Sequence, residues 1–238
     1  MSNLAWKRMS AEVVAIVVSI LVAFWIDAWW EGKQEVALGA EYEERIAAEL
    51  RDNLALLNEQ MLHVERNLLA AKETAAFFGI DRQSLDGEQL IVNLYNMGRD
   101  PPDRFDISTY EDLVATGRLG FIRNVPRRQA IQRAYSEVRE LESILRPNRQ
   151  EYLIGLRGWI PQPVIEQIRE VCPTLTAPVP CTNVDIDIDA RAVEALIERI
   201  SSDSALLAYR LREQGLFEKQ GRTGQAMETV KEAIALLE

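Results

Sequence analysis

Histidine is almost missing from this chain: His63 is the only one in 238 residues. One imidazole excludes every site that needs two, so no multi-histidine metal centre, HExxH helix or His-rich redox site can be assembled. A Ser-His-Asp triad would have to run through His63, which falls on a long helical stretch beside its apolar seam and reads as a helix-surface residue. His63 and Glu65 imitate the start of a deaminase zinc motif, but the cysteines stand at the wrong spacing to complete it. Positive charge is also short, with 27 Lys and Arg against 37 Asp and Glu. The resulting charge of -10 would repel phosphates and argues against a general nucleic-acid binder. No glycine loop cradles a phosphate: Gly215, Gly221 and Gly224 precede no Lys-Ser/Thr pair, and Gly117 and Gly120 fit no dinucleotide fingerprint. Asp185, Asp187 and Asp189 start like a calcium loop, but its sixth and twelfth positions are Ala190 and Leu196 instead of glycine and glutamate. Carboxylates are spread so widely that no catalytic pair stands out. The expectation is a non-enzyme with no cofactor, no metal site and no catalytic residue.

Apolar length is concentrated at one place. Residues 13 to 26 read VVAIVVSILVAFWI without a charge, and the run reaches Trp30 if Asp27 is tolerated near its end. Eighteen helical residues rise about 27 Å, close to the hydrocarbon thickness of a bilayer. Four of the five tryptophans lie between residues 6 and 30. Trp6 precedes the run and Trp25, Trp29 and Trp30 close it, as indoles do at headgroup level. Lys7 and Arg8 come before it, and Glu31, Lys33 and Glu35 after it, so the positive-inside rule leaves the N-terminus in the cytoplasm. The expected division is a cytoplasmic tail over 1–10, a transmembrane helix over 11–31 and a periplasmic domain over 32–238, in a bacterial inner membrane. A cleaved signal peptide shares this charge order, but Phe24, Trp25, Trp29 and Trp30 fill the stretch where small residues are needed. A buried core helix would not cluster its tryptophans in this way. Glu12 and Asp27 bracket the run, where snorkelling toward headgroups suits both, and Asp27 could also pair with a partner subunit.

Two cysteines are all the chain has, Cys172 and Cys181, in VCPTLTAPVPCTN. Eight residues with three prolines separate them, which suits a loop doubling back and neither a CxxC redox pair nor a zinc site. An exported domain would oxidise them to a disulfide. The alternative is a pair of free thiols in a cytosolic domain.

Past the membrane run the pattern is helical. Leu50, Leu57, Val64, Ala71 and Phe78 form one row of a seven-residue repeat, and Leu54, Met61, Leu68 and Ala75 form a second. No proline interrupts the chain from Trp30 to Leu50, so the membrane helix is expected to continue as one rod from about Ala11 to Phe78. Short helices are expected over 88–97 and after a Ser108 or Thr109 cap. A helix started by Asn124 and Pro126 should run on to Trp159 with a kink at Pro147, and a short one should follow IPQP to Val171. NVDIDIDA reads as extended, Asp189 as the cap of a helix to Ile200, and Ser202 or Asp203 as the start of a last helix to Leu237. The fold class is all-α: one transmembrane helix continuing into an elongated antiparallel, coiled-coil-like helical bundle. Arg118, Arg123, Arg127, Arg128 and Arg133 make a local basic cluster, either a solvated face balancing the acidic body or a contact for anionic lipid or a partner.

Two stretches, EVVAIVVSILVAFWIDAWWE and TYEDLVATGRLGFIRNVPRRQAIQRAY, carry a likeness. The chain resembles a bacterial family of uncharacterised single-pass membrane proteins, whose anchor ends in Ile-Asp-x-Trp (here Ile26, Asp27 and Trp29). A Tyr-Glu-x-Leu…Gly-x-Leu…Ile-x-Asn segment follows further along, here Tyr110, Glu111, Leu113, Gly117, Leu119, Ile122 and Asn124. The likeness covers roughly the first 140 residues and implies an anchor and a helical exported domain, with no activity to transfer. The second stretch is expected to pack a short helix and turn against the rod, capped by Gly117. Together these readings point to a non-enzymatic accessory subunit docking onto or stabilising a larger inner-membrane complex, respiratory or photosynthetic. The contacts would be through the membrane helix and through Leu50, Leu54, Leu57, Met61, Val64 and Leu68, with lipid and an integral membrane complex or a second copy as partners. The alternative is a periplasmic small-molecule sensor.

Overall fold

The fold is that of a computed structural model, which describes residues 2–78, 86–99, 104–144, 152–171, 186, 188–200 and 203–238, with side chains from residue 15 onward except at 76, 78, 142, 144, 190, 192 and 203. Cys172, Cys181, Asp185, Asp187 and Pro147 lie outside the described residues, as do the side chains of Trp6, Lys7, Arg8 and Glu12.

Among the described residues every regular element is a helix. Helix α1 runs unbroken over Ser2–Phe78, as the lack of proline between Trp30 and Leu50 allows. Gly87–Met97 forms α2, Ser108–Ala115 forms α3, and a 3-10 turn covers Arg118–Phe121. Helix α4 spans Val125–Ile144, with Asn124 Oδ1 accepting the Arg127 N–H at 3.2 Å and Pro126 placed where no N–H is missed. A helical turn over 152–155 and a 3-10 turn at Arg157–Trp159 lead to α5, Gln162–Val171. Ala190–Ile200 is α6 and Asp203–Leu237 is α7. Gly221 and Gly224 do not interrupt α7. Of the run expected to be extended, Ile186, Ile188 and Asp189 are described ahead of α6, and the Ile188 N–H donates to the Ile186 carbonyl at 2.8 Å. Both isoleucines still turn inward, and Asp189 Oδ1 takes the Arg191 N–H at 3.2 Å.

Three long helices lie side by side. Arg51 meets Glu238, Met61 approaches Gly224 and the Tyr209 hydroxyl donates to the Ala71 carbonyl, so α1 and α7 run in opposite directions. Gln225 bonds Glu137 and Arg222 pairs with Glu140, which makes α4 and α7 antiparallel as well. The apolar rows explain this assembly. Leu50 and Leu57 are fully buried in a cluster with Ile131, Tyr135 and Val138 of α4 and Ala226, Val230 and Ala233 of α7. The seam that was expected to take a partner is thus filled by the chain's own helices. Val64 is also fully buried, whereas Leu54, Met61 and Leu68 are only half-buried at its edge.

A second apolar cluster lies farther from the N-terminus, joining Ala70 and Ala71 to α2, α5, α6 and the first half of α7. Between the two clusters the contact is polar. Gln60, His63 and Asn67 on α1 are buried, and so are Lys219 and Thr223 in the same interval of α7. The molecule therefore has two greasy cores and a polar belt between them.

Candidate functional site: the motif node and the polar belt

The first node grows from the stretch 108–124. Asn53 on α1 clamps the loop before α3 twice: its amide donates to the Asp106 carbonyl at 2.6 Å, and its Oδ1 accepts the Asp106 N–H at 2.9 Å. Asp106 Oδ1 in turn accepts the Ser108 N–H at 3.0 Å, and these Ser108 bonds hold the Asp106 carboxyl below its ordinary pKa. Glu49, buried on α1, accepts the Thr109 N–H at 2.9 Å and the Tyr135 hydroxyl at 2.5 Å. The N-terminus of α3 is thus capped by a carboxylate from another helix, where the helix dipole favours negative charge. The expected cap, Ser108 or Thr109, supplies the N–H groups; Asp106 and Glu49 supply the oxygens. Burial and the adjacent Glu49 raise the Tyr135 pKa well above its usual value.

Tyr110 stacks on Tyr135 with ring centroids 4.5 Å apart and planes 9° from parallel. Tyr42 donates to Asp112 at 2.8 Å and receives Arg118 at 3.4 Å. Leu113 and Ile122 are fully buried. Gly117 has φ 68°, a left-handed turn that glycine adopts freely. The short helix and turn of the motif do pack on α1, and Gly39 is what lets them approach. A Cβ there would stand 2.4 Å from the Phe121 carbonyl oxygen.

The second node is the C-terminus of α2, where side chains satisfy four of the end carbonyls. Tyr152 donates to the Leu94 carbonyl at 2.5 Å, Arg212 Nε to Met97 at 2.6 Å and Arg157 Nη1 to Gly98 at 2.9 Å. The Arg99 carbonyl takes His63 Nε2 at 2.6 Å and Asn67 Nδ2 at 3.0 Å. Contact with a carbonyl makes Nε2 the protonated nitrogen of His63. The expected surface position of His63 is therefore corrected: the segment after α2 crosses it, and the imidazole is buried as a donor to that segment. Arg157 and Arg99 lie over the Tyr95 ring at 4.5 and 5.5 Å, and Arg169 Nε donates to the Tyr95 hydroxyl at 3.2 Å. Burial, with Arg157 and Arg169 nearby, lowers the Arg99 pKa. Cations at a helix C-terminus complement its dipole, so the chemistry of this node is that of a joint. Among the described residues no three His, Cys, Asp or Glu come together as metal ligands.

The third feature is bare helix. Trp25, Asp27, Trp29 and Trp30 are exposed, as is every described residue of α1 from Ala15 to Glu31. One stretch of α1, within Ala15–Ala75, is long and apolar enough to cross a membrane. Lys33 Nζ sits 4.4 Å over the Trp29 ring. Comparison with family models, curated proteins and solved structures gives no match.

The polar row of α1 escapes a hydropathy reading. Its signal is a repeat of seven in small polar residues, Asn53, Gln60, Asn67 and Thr74, all buried.

Proposed function

We propose that the protein is a non-enzymatic, membrane-anchored accessory subunit of the bacterial inner membrane. Its anchor crosses once, and its periplasmic part is an elongated, coiled-coil-like antiparallel bundle that docks onto or stabilises a larger complex. The observation that carries this reading is the contrast along one continuous helix. From Tyr42 upward α1 buries its apolar rows in the chain's own cores, while from Ile16 to Trp30 its large apolar side chains stand exposed. Burial of so much apolar surface is worth about 25 cal/mol per Å², which favours a cover for it, and none of the described residues of the chain supplies one. A bilayer flanked by tryptophans fits that need, and the exposed Asp27 offers a polar handle to a neighbouring membrane helix. The likeness of the two motif stretches to single-pass membrane proteins belongs to the same reading. With the heptad seam occupied internally, the docking contact falls to the anchor and to the outer face of the domain.

The sensor reading has weaker support. Tyr110 and Arg118, polar side chains of the motif stretch that could meet a ligand, are engaged with Tyr135 and Tyr42.

Two measurements test the proposal on the full-length protein. A reporter fused after Phe78 should be active only in an oxidising, external compartment, and the chain should resist carbonate extraction from membranes. After mild detergent extraction it should migrate on native gels within a larger assembly of constant composition. A cytosolic reporter overturns the topology, and a lone monomer overturns the accessory role.

A further inference from the structure

Residues 113–136 contain no Asp or Glu and five arginines, in a chain whose net charge is -10. The fold decides which of the five can meet the membrane. Because α1 is unbroken, it serves as a ruler of about 1.5 Å per residue above Ile26, the last residue of the uncharged run. Arg118 reaches Tyr42 and Arg127 reaches Glu43, about 24–26 Å above that mark. At that height they lie beyond both the headgroup layer, about 5–8 Å deep, and the reach of its field, about 8 Å at physiological salt. Arg123 is different. Its Nη2 donates to the Gly32 carbonyl at 3.3 Å, which puts the guanidinium about 9 Å above Ile26. That is the outer edge of the headgroups, level with Lys33 and its stack on Trp29.

The turn that delivers Arg123 is held on several sides. Phe121 abuts Gly39, Ile122 is buried, Arg128 Nη1 donates to the Ile122 carbonyl at 3.0 Å, and Arg127 pairs with Glu43. Beside Arg123 the chain presents Val125, 47% exposed, and an exposed Pro126. Two carboxylates share this level, Glu31 and Glu35. Arg123 touches Glu35 at 3.5 Å, with both side chains about half exposed to solvent. An exposed pair of this kind is weak and exchangeable, and a phosphate can replace the carboxylate in a bidentate contact.

We propose that the side chain of Arg123, reaching down from the turn Ile122–Pro126 to the level of Gly32, is a foot of the exported domain on the bilayer, binding the phosphate of a phospholipid headgroup. The inference rests on the membrane-anchor reading. The foot would fix the angle between domain and membrane, which a single helix alone leaves free.

The test uses the full chain in phosphatidylglycerol/phosphatidylcholine nanodiscs that contain a photoactivatable phospholipid, labelled either in the acyl chain or in the headgroup, with adducts mapped by mass spectrometry. Acyl-labelled lipid should mark α1 between residues 13 and 30. Headgroup-labelled lipid should also mark residues 119–128. Arg123→Gln should lower the 119–128 adducts about fivefold, and Arg123→Lys should keep most of them, with helix content by circular dichroism unchanged in both. If the acyl adducts form but headgroup adducts are missing from 119–128, or are untouched by Arg123→Gln, the foot is wrong and the anchor stands. If no acyl adducts form on α1, the anchor reading fails and takes the foot with it.

Discussion

The hydroxyl of Tyr135 on α4 donates to the buried carboxylate of Glu49 on α1 across 2.5 Å, and the same carboxylate caps α3 through Thr109. One side chain thereby ties three helices at the level where the motif turn meets the rod. A buried charge with two donors depends on both. Removing one donor with Tyr135→Phe should cost about 2 kcal/mol. Glu49→Ala removes the acceptor, orphans the Thr109 N–H and should cost about 3 kcal/mol or more. Urea titration of the detergent-solubilised protein, followed by far-UV circular dichroism, should rank the alanine variant below the phenylalanine variant. Equal stabilities to the parent would show that the node is solvated and weak.

The polar belt should make the two cores separable. Arg212 is fully buried and its Nε reaches the Met97 carbonyl at the end of α2. Arg212→Ala should cost about 3–5 kcal/mol, because a polar network loses a buried member. The loss should be local. Hydrogen exchange should speed up in α2, α5 and α6, which share the distal core, while α4, packed in the other core, keeps its protection. Equal loss of protection in α4 would mean that the belt couples the cores instead of dividing them.

Alkaline pH should act through three tyrosines. Burial raises the pKa of Tyr135, Tyr152 and Tyr209 above the ordinary 10.0. A raised folded pKa means that the unfolded chain loses these protons first. The stability they support is complete below about pH 10 and falls as pH rises toward their folded values. Phenolate absorbance from these three should therefore appear only as helicity disappears. Tyr135→Phe should remove one of them and flatten the pH dependence accordingly. Full ionisation of all six tyrosines with helicity intact would contradict their burial.

How far the sequence carried this fold depends on which interaction wrote each feature. The helix ends were legible where local chemistry sets them. Asn124 and Pro126 start α4, Asp189 precedes α6 and the proline-free stretch keeps α1 whole. The apolar row of Leu50, Leu57 and Val64 was legible because burial follows hydropathy. Its occupant was not, since a heptad seam looks alike whether a partner or the chain's own α7 fills it. His63 could not be placed from its neighbours in sequence, because its acceptor is the carbonyl of Arg99, 36 residues away. The same distance hid Glu49 as a cap for α3, 60 residues on. A polar side chain announces burial only through its partners, and those are tertiary. Cys172 and Cys181 lie outside the described residues, and their pairing remains a sequence expectation.

Glycine at 39 and at 221 should respond in opposite ways to the same methyl group. Both lie inside long helices, where Ala is favoured over Gly by about 1 kcal/mol. At Gly221 a Cβ meets nothing within 4 Å, so Gly221→Ala should stabilise by about that amount. At Gly39 the Cβ would stand 2.4 Å from the Phe121 carbonyl oxygen and 3.0 Å from its carbon, and backbone cannot rotate away as a side chain can. Overpacking of this kind costs about 1–3 kcal/mol or more. That outweighs the propensity gain, so Gly39→Ala should be neutral at best and destabilising by up to about 2 kcal/mol. The two variants should also differ in where they act. Gly221→Ala should leave the motif turn alone, whereas Gly39→Ala should lift it from α1 and speed amide exchange over residues 117–123. Stabilisation by both substitutions, with unchanged exchange in the turn, would show that Phe121 does not bear on Gly39.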